Sequence, residues 1–178
     1  DIAWDDLVMA AYTRRVDLSA HAFYATPLLH YDKTTEKGHP FAYHVCGTAV
    51  VQARLDALRA TADIESVEMV HDAGRSLDVL VDRGQAEGAV VQGIGWITLE
   101  ELVYSAEGRL LSNSLTTYKV PDLHFAPPVI ETVFLENSSD PSAVMQSKAI
   151  GEPPFMYGIG ASFAIRRAMQ SVSRLPRD

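Results

Sequence analysis

SKAIGEPPFMYGIGASFAIRRAM, residues 147–169, decides how this chain is read. It sets a single carboxylate, Glu152, between Gly151 and the pair Pro153 and Pro154, with apolar and small residues on both sides. A residue before proline is pushed toward extended geometry. Each proline also has a fixed φ and no backbone N–H. Glu152 is therefore expected on a stiff, non-helical approach to a following helix, whose apolar stripe is Ile165, Ala168, Met169 and Val172. A general base needs such placement, because geometry comes before basicity in proton transfer. The plainer alternative is structural: Glu152 caps the helix or pairs with Lys148.

Working outward, the remaining segments alternate between helix and strand. Trp4, Leu7, Val8 and Ala11 follow helical spacing, with Asp5 and Asp6 suited to a first turn. Residues 21–40, HAFYATPLLHYDKTTEKGHP, read as a connector punctuated by Pro and Gly. Residues 40–57, PFAYHVCGTAVVQARLDA, alternate as a strand. Phe41, Tyr43, Val45, Ala49, Val51 and Leu55 share one of its faces, and His44, Thr48, Gln52 and Arg54 the other. IESVEMVHDAG (64–74) and VIETVFLEN (129–137) read as further strands. GQAEGAVVQGIGWITLEELVYS (84–105) reads as one long helix. Strands and helices in this irregular order predict an α+β fold. No internal repeat or low-complexity segment appears.

Composition narrows the function. Of 178 residues, 47% are apolar and 21% charged, which suits a globular domain with a real core. The net charge is −8, from 15 basic and 23 acidic residues, with no basic stripe, which argues against nucleic acid. One cysteine, Cys46, excludes an internal disulfide and a Cys-rich cluster in this chain. A lone thiol suits a reducing, cytoplasmic setting, and no apolar run is long enough to span a bilayer. The opening DIAWDDLVMAAYTRR already reads as amphipathic helix, so the chain is expected to be one piece of a larger polypeptide or assembly.

The glycines of the long helix need a reason. Gly84, Gly88, Gly93 and Gly95 each cost a helix about 1 kcal/mol against Ala. Either they allow another backbone or a ligand to approach, or they mark tight packing alone. A helix beginning near Gly84 would offer free N–H groups to an anion, with Gln85 beside them as donor and acceptor. Other familiar patterns fail. Gly93-Ile94-Gly95 and Gly158-Ile159-Gly160 lack the third glycine of a dinucleotide fingerprint. No Walker sequence or nucleophile elbow is present. His39, His44 and Cys46 fit zinc spacing poorly. Asn137-Ser138-Ser139 has the glycosylation pattern and is read as a polar turn.

Together these residues carry a resemblance. FYATPLLHYDKTTEKGHPFAYHVCGTAV (23–50), HDAGRSLDVLVDRGQAEGAVVQGIGWITLEELVY (71–104), TTYKVPDL (116–123) and the 147–169 stretch resemble, in order, the C-terminal part of the molybdenum-binding domain of the xanthine dehydrogenases. That family belongs to the molybdenum hydroxylases, which include aldehyde oxidases. The most specific signatures are the G-Q-x-E-G-A and K-A-x-G-E-P-P motifs. The chain departs from the pattern at Asp78-Val79, where relatives often have Asn-Pro, and at Phe155, Met156 and Tyr157, where they are often leucine-rich.

The resemblance implies one segment, residues 1–178, of a molybdopterin-binding domain whose remainder lies upstream or on another chain. It implies Glu152 as the general base, Gln85 as a contact to the pyranopterin of the molybdenum cofactor, and Gly151 as the residue that brings the loop close. No protein ligand to molybdenum is expected. It implies hydroxylation of a purine, hypoxanthine or xanthine to urate, with oxygen from water and hydride passing to a molybdenum sulfido ligand. FAD and 2Fe-2S clusters would sit on partner domains or chains of a hetero-oligomer. A closed apolar loop would strip water from Glu152 and strengthen it as a base. Two other readings stand beside this one. The first is an aldehyde or N-heterocycle oxidoreductase of the same family; the second is a non-catalytic anion-binding or assembly module.

Overall fold

The computed structural model describes residues 1–172. A helix, α1 (Trp4–Thr13), is followed by two short strands, β1 (His30–Asp32) and β2 (Lys37–His39), and two long ones, β3 (Gly47–Asp56) and β4 (Thr61–His71). A long helix, α2 (Val79–Thr98), precedes β5 (Val129–Phe134), and the short α3 (Glu152–Phe155) leads through a 3-10 turn (Met156–Ile159) into α4 (Gly160–Val172). The architecture is α+β, as expected.

The main sheet has the order β3-β4-β5. β3 and β4 form an antiparallel hairpin with a register shift between Gln52 and Ala53, and β5 runs parallel to β4. Parallel neighbours need a crossover, and α2 lies within it. Along β4 the alternation is clean: Val67, Met69 and His71 are buried while Glu68 and Val70 are exposed. Val67 and Met69 meet Ala86, Val90 and Ile94 of α2 and Ala161 of α4 in one apolar cluster. Burying a side chain such as Ile94 or Val90 contributes about 2 kcal/mol. Val51, the expected inward residue of β3, packs at its edge.

Several expectations need correction. α2 begins at Val79, not at Gly84, because the Asp78 carboxylate accepts the N–H groups of Leu80 and Val81 and caps it. It ends at Thr98; residues 100–105 are not helical, and Tyr104 bridges Leu110 instead. The 21–40 connector contains the β1–β2 hairpin, which pairs His30 with His39. β3 starts at Gly47, so Phe41, Tyr43 and Val45 precede it. Glu152 is itself helical, in the first turn of α3. Prolines suit that place, because the N–H groups they lack have no partner in a first turn. On α4, Ile165 and Ala168 are half-buried, but Met169 and Val172 are exposed. The 129–137 strand ends at Phe134, and Asn137 turns the chain with a φ of 58°. Among the described residues no helix is long and apolar enough to cross a membrane.

Candidate active site

α2 packs closely on α3 and the 3-10 turn after it because Gly93 of α2 and Gly158 of the turn face each other. A side chain on Gly93 would strike the Phe155 carbonyl, and one on Gly158 would strike the backbone of Gly93 and Ile94. Gly95 similarly makes room for the ring of Pro121. Packing therefore explains Gly93 and Gly95. It does not explain Gly84 and Gly88, where a Cβ would meet nothing within 4 Å.

Gly84 and Gly88 open onto a cleft of about 700 Å³ between α2 and the 149–155 segment. Gln85, Gln92, Gly151 and Glu152 line the same cleft. The three residues singled out from the sequence, Gln85, Gly151 and Glu152, are thus brought together. Gly151 sits so near Gln85 that a Cβ on it would lie 3.1 Å from the Gln85 Oε1. Any larger residue at 151 would push the amide aside. Gln85 is in the second turn of α2, not at its start. The N–H groups around Gly84 belong to the helical ladder, so the anion site expected at a helix start there does not exist. The free donors lie a turn earlier, and Asp78 takes two of them.

Glu152 is exposed. Among the described residues it joins no salt bridge. The pairing with Lys148 is overturned: the Lys148 Nζ lies 2.7 Å from Asp72 Oδ2 instead. Nor does Glu152 cap the helix, since the N-cap is Gly151, which has no side chain to offer. The expected closed apolar loop is also corrected. The cleft between α2 and the 149–155 segment is open, and Glu152 is exposed in it. Phe155, its ring tilted against Trp96 with centroids 5.4 Å apart, gives the cleft an apolar part. Gln92 was missed from the sequence, although it lies seven residues after Gln85, two helical turns along the same face.

Bare helix backbone at Gly84 and Gly88, flanked by two side-chain amides, suits a flat group rich in hydrogen-bonding edges. The α+β fold and this open cleft define the class of segment, and comparison with known proteins gives its family. The model of the molybdopterin cofactor-binding domain matches residues 1–127. This chain belongs to that family, within the molybdenum hydroxylases. It is 40% identical over 167 residues to the xanthine dehydrogenase/oxidase of Felis catus, which covers 94% of this chain and 12% of that protein. It is 36% identical over 173 residues to the xanthine dehydrogenase of Oryza sativa subsp. japonica, covering 93% of this chain and 13% of the relative. The chain therefore spans about an eighth of these proteins. Among solved structures, quinoline 2-oxidoreductase from Pseudomonas putida 86 superposes with a TM-score of 0.59 at 26% identity, over 66% of this chain and 15% of that one. The family match takes in Gln85 and stops before Glu152. The likeness to xanthine dehydrogenases reaches further along the chain.

Proposed function

We propose that this chain forms one wall of the active site of a molybdenum hydroxylase acting on a purine, hypoxanthine or xanthine to urate. The carrying observation is the cleft itself, where Gln85, Gly151 and Glu152 converge beside the bare face of Gly84 and Gly88. When bound, the molybdenum cofactor supplies the two-electron oxidising centre and the activation of water for attack on an electron-poor carbon. Glu152 takes the proton released as that oxygen becomes nucleophilic. Pro153 and Pro154 stiffen the first turn that carries it. Gln85 and Gln92 offer amide donors and acceptors to the pterin edge, and Gly84, Gly88 and Gly151 let it approach the backbone. The purine substrate is favoured by the xanthine dehydrogenase relatives. The likeness to a quinoline oxidoreductase supports the second reading, another N-heterocycle.

The chain is the C-terminal portion of the cofactor domain in this proposal. The rest of the domain, and the FAD and iron–sulfur domains, come from upstream segments or partner chains. The open side of the cleft and the exposed apolar residues of α1 support that division: Trp4 is 74% exposed and Tyr12 71%. The deciding experiment substitutes Glu152→Gln in the assembled, molybdenum-loaded protein. Turnover of xanthine should fall by about 10²- to 10⁴-fold while molybdenum content stays constant. Full turnover in that variant would sink the assignment. The isolated chain should neither retain molybdenum nor turn over, which metal analysis and an activity assay test directly.

A further inference from the structure

The prolines stiffen the loop of Glu152, but stiffness does not decide where a loop sits. Two adjacent residues at the end of β4, His71 and Asp72, hold it from opposite sides. On the near flank, Lys148 donates from Nζ to Asp72 Oδ2 at 2.7 Å and to the His44 carbonyl at 3.1 Å. Its own N–H bonds the Ala73 carbonyl at 3.0 Å. Both partners are withdrawn from water, with side chains 9% and 11% exposed. Burial pushes the Asp72 carboxyl up; the Lys148 ammonium, the Gly74 N–H and the Ser138 hydroxyl outweigh it and hold the group below its usual value. On the far flank, His71 Nδ1 lies 2.9 Å from the Tyr157 hydroxyl, with the two rings edge to face. His71 is 0% exposed, and its Nε2 has no hydrogen-bond partner among the described residues. Burial lowers its pKa, against the pull of the Ala149 carbonyl and the Asp72 charge. Burial thus favours the neutral ring.

This arrangement is costly as a plain core. A hydrophobic pair in place of His71 and Tyr157 would leave no orphaned nitrogen, and buried ion pairs seldom stabilise more than apolar packing of the same volume. What these pairs supply is geometry. Lys148 lies one helical turn's length before Glu152, and Tyr157 just after α3. The 149–156 stretch is thus pinned at both ends to consecutive residues, the last of the central strand and the one that follows it.

We propose that His71 and Asp72 are positioning residues of the site, which set Glu152 against the cleft by clamping its loop through Tyr157 and Lys148. The proposal rests on the reading of Glu152 as the base. Its test uses Tyr157→Phe, Lys148→Met and Lys148→Arg in the assembled, molybdenum-loaded protein, with Glu152→Gln alongside. Tyr157→Phe removes one hydroxyl and is expected to fold even where Lys148→Met does not. A misplacement of about 1 Å is worth up to about 10²-fold in rate. Tyr157→Phe and Lys148→Met should therefore lower kcat by about 10- to 100-fold, with KM and molybdenum content unchanged. Amide exchange at Lys148 and Met156, whose N–H groups bond the Ala73 and Pro153 carbonyls, should quicken, while the amides of α2 keep their protection. Lys148→Arg should recover most of the loss. Normal kcat and normal exchange in Tyr157→Phe would overturn the clamp, and so would a loss of kcat that tracks loss of molybdenum. If Glu152→Gln is dead and the clamp variants are silent, the clamp alone falls. If Glu152→Gln is fully active while the clamp variants loosen the loop, the reading of the base falls and His71 and Asp72 lose their catalytic purpose.

Discussion

Residues 1–46 and residues 47–172 are built on opposite principles. The later region has a shared apolar core in which Val67 and Val90 are 0% exposed and Ile94 is 1%. The earlier region has a ten-residue helix with no buried residue and a hairpin of two three-residue strands, every residue of which is exposed. A helix that short is marginal in water without packing, and a lone two-stranded hairpin is no better. Phe23 at 86% and Leu28 at 87% exposure continue the pattern between them. The region that carries Gln85 and Glu152 supports itself, whereas α1 and the hairpin leave their apolar side chains exposed among the described residues.

The largest expected effects separate two kinds of glycine within the self-supporting region. Gly158→Ala drives a methyl group into the backbone of Gly93 and Ile94 and should destabilise by about 3 kcal/mol, read as a shift in the urea midpoint. Gly88→Ala meets nothing and should instead stabilise by up to about 1 kcal/mol. The same substitution should lower the molybdenum content of the assembled protein, because it fills the face on which the cofactor is proposed to lie. A stabilised Gly88→Ala that loads fully would detach that face from the cofactor.

An intermediate effect follows acid. The lowered pKa of His71 means that the unfolded chain takes up a proton below its ordinary 6.5 that the folded chain refuses. Stability is then complete above that pH and is lost as pH falls from 6.5 through the lowered value. Asp72 adds a second loss below its ordinary 3.8, as acid protonates a carboxylate that Lys148 holds charged. Thermal midpoints across this range should show both stages. His71→Met should remove the upper stage and leave the lower one. A single stage in the unaltered chain would place the histidine outside the cooperative core.

How much of this was legible beforehand depends on the distance over which each signal acts. The alternation of β3 and β4 and the spacing of α1 are local patterns, and they were readable. So was the convergence of Gln85 with Glu152, through the specificity of the two motifs that carry them. The start of α2 was placed five residues late, at Gly84, although Asp78 was a legible cap. The helical turn at Glu152 was misread because two prolines usually forbid helix, except in a first turn. The clamp was not legible at all. Asp72 and Lys148 are 76 residues apart, and His71 and Tyr157 are 86 apart, so no local rule connects them. The Lys148 pairing proposed for Glu152 failed for the same reason: a nearer acid in sequence lost to a nearer acid in space.

The smallest effect on the isolated chain should come from the most exposed large side chain of α1. Trp4, at 74% exposure, has little to lose within this chain, so Trp4→Ala should change its unfolding free energy by no more than about 0.5 kcal/mol. Against the partner segments the expectation reverses. A tryptophan that becomes buried on assembly is the kind of residue on which association energy concentrates, and its loss should weaken association by tenfold or more, about 1.4 kcal/mol. Titrating the partner segments into the two forms of the chain measures both quantities on one sample. If Trp4→Ala instead unfolds the isolated chain by about 2 kcal/mol or more, α1 is packed on its own chain. The division between a self-supporting wall and a dependent N-terminal region would then be wrong.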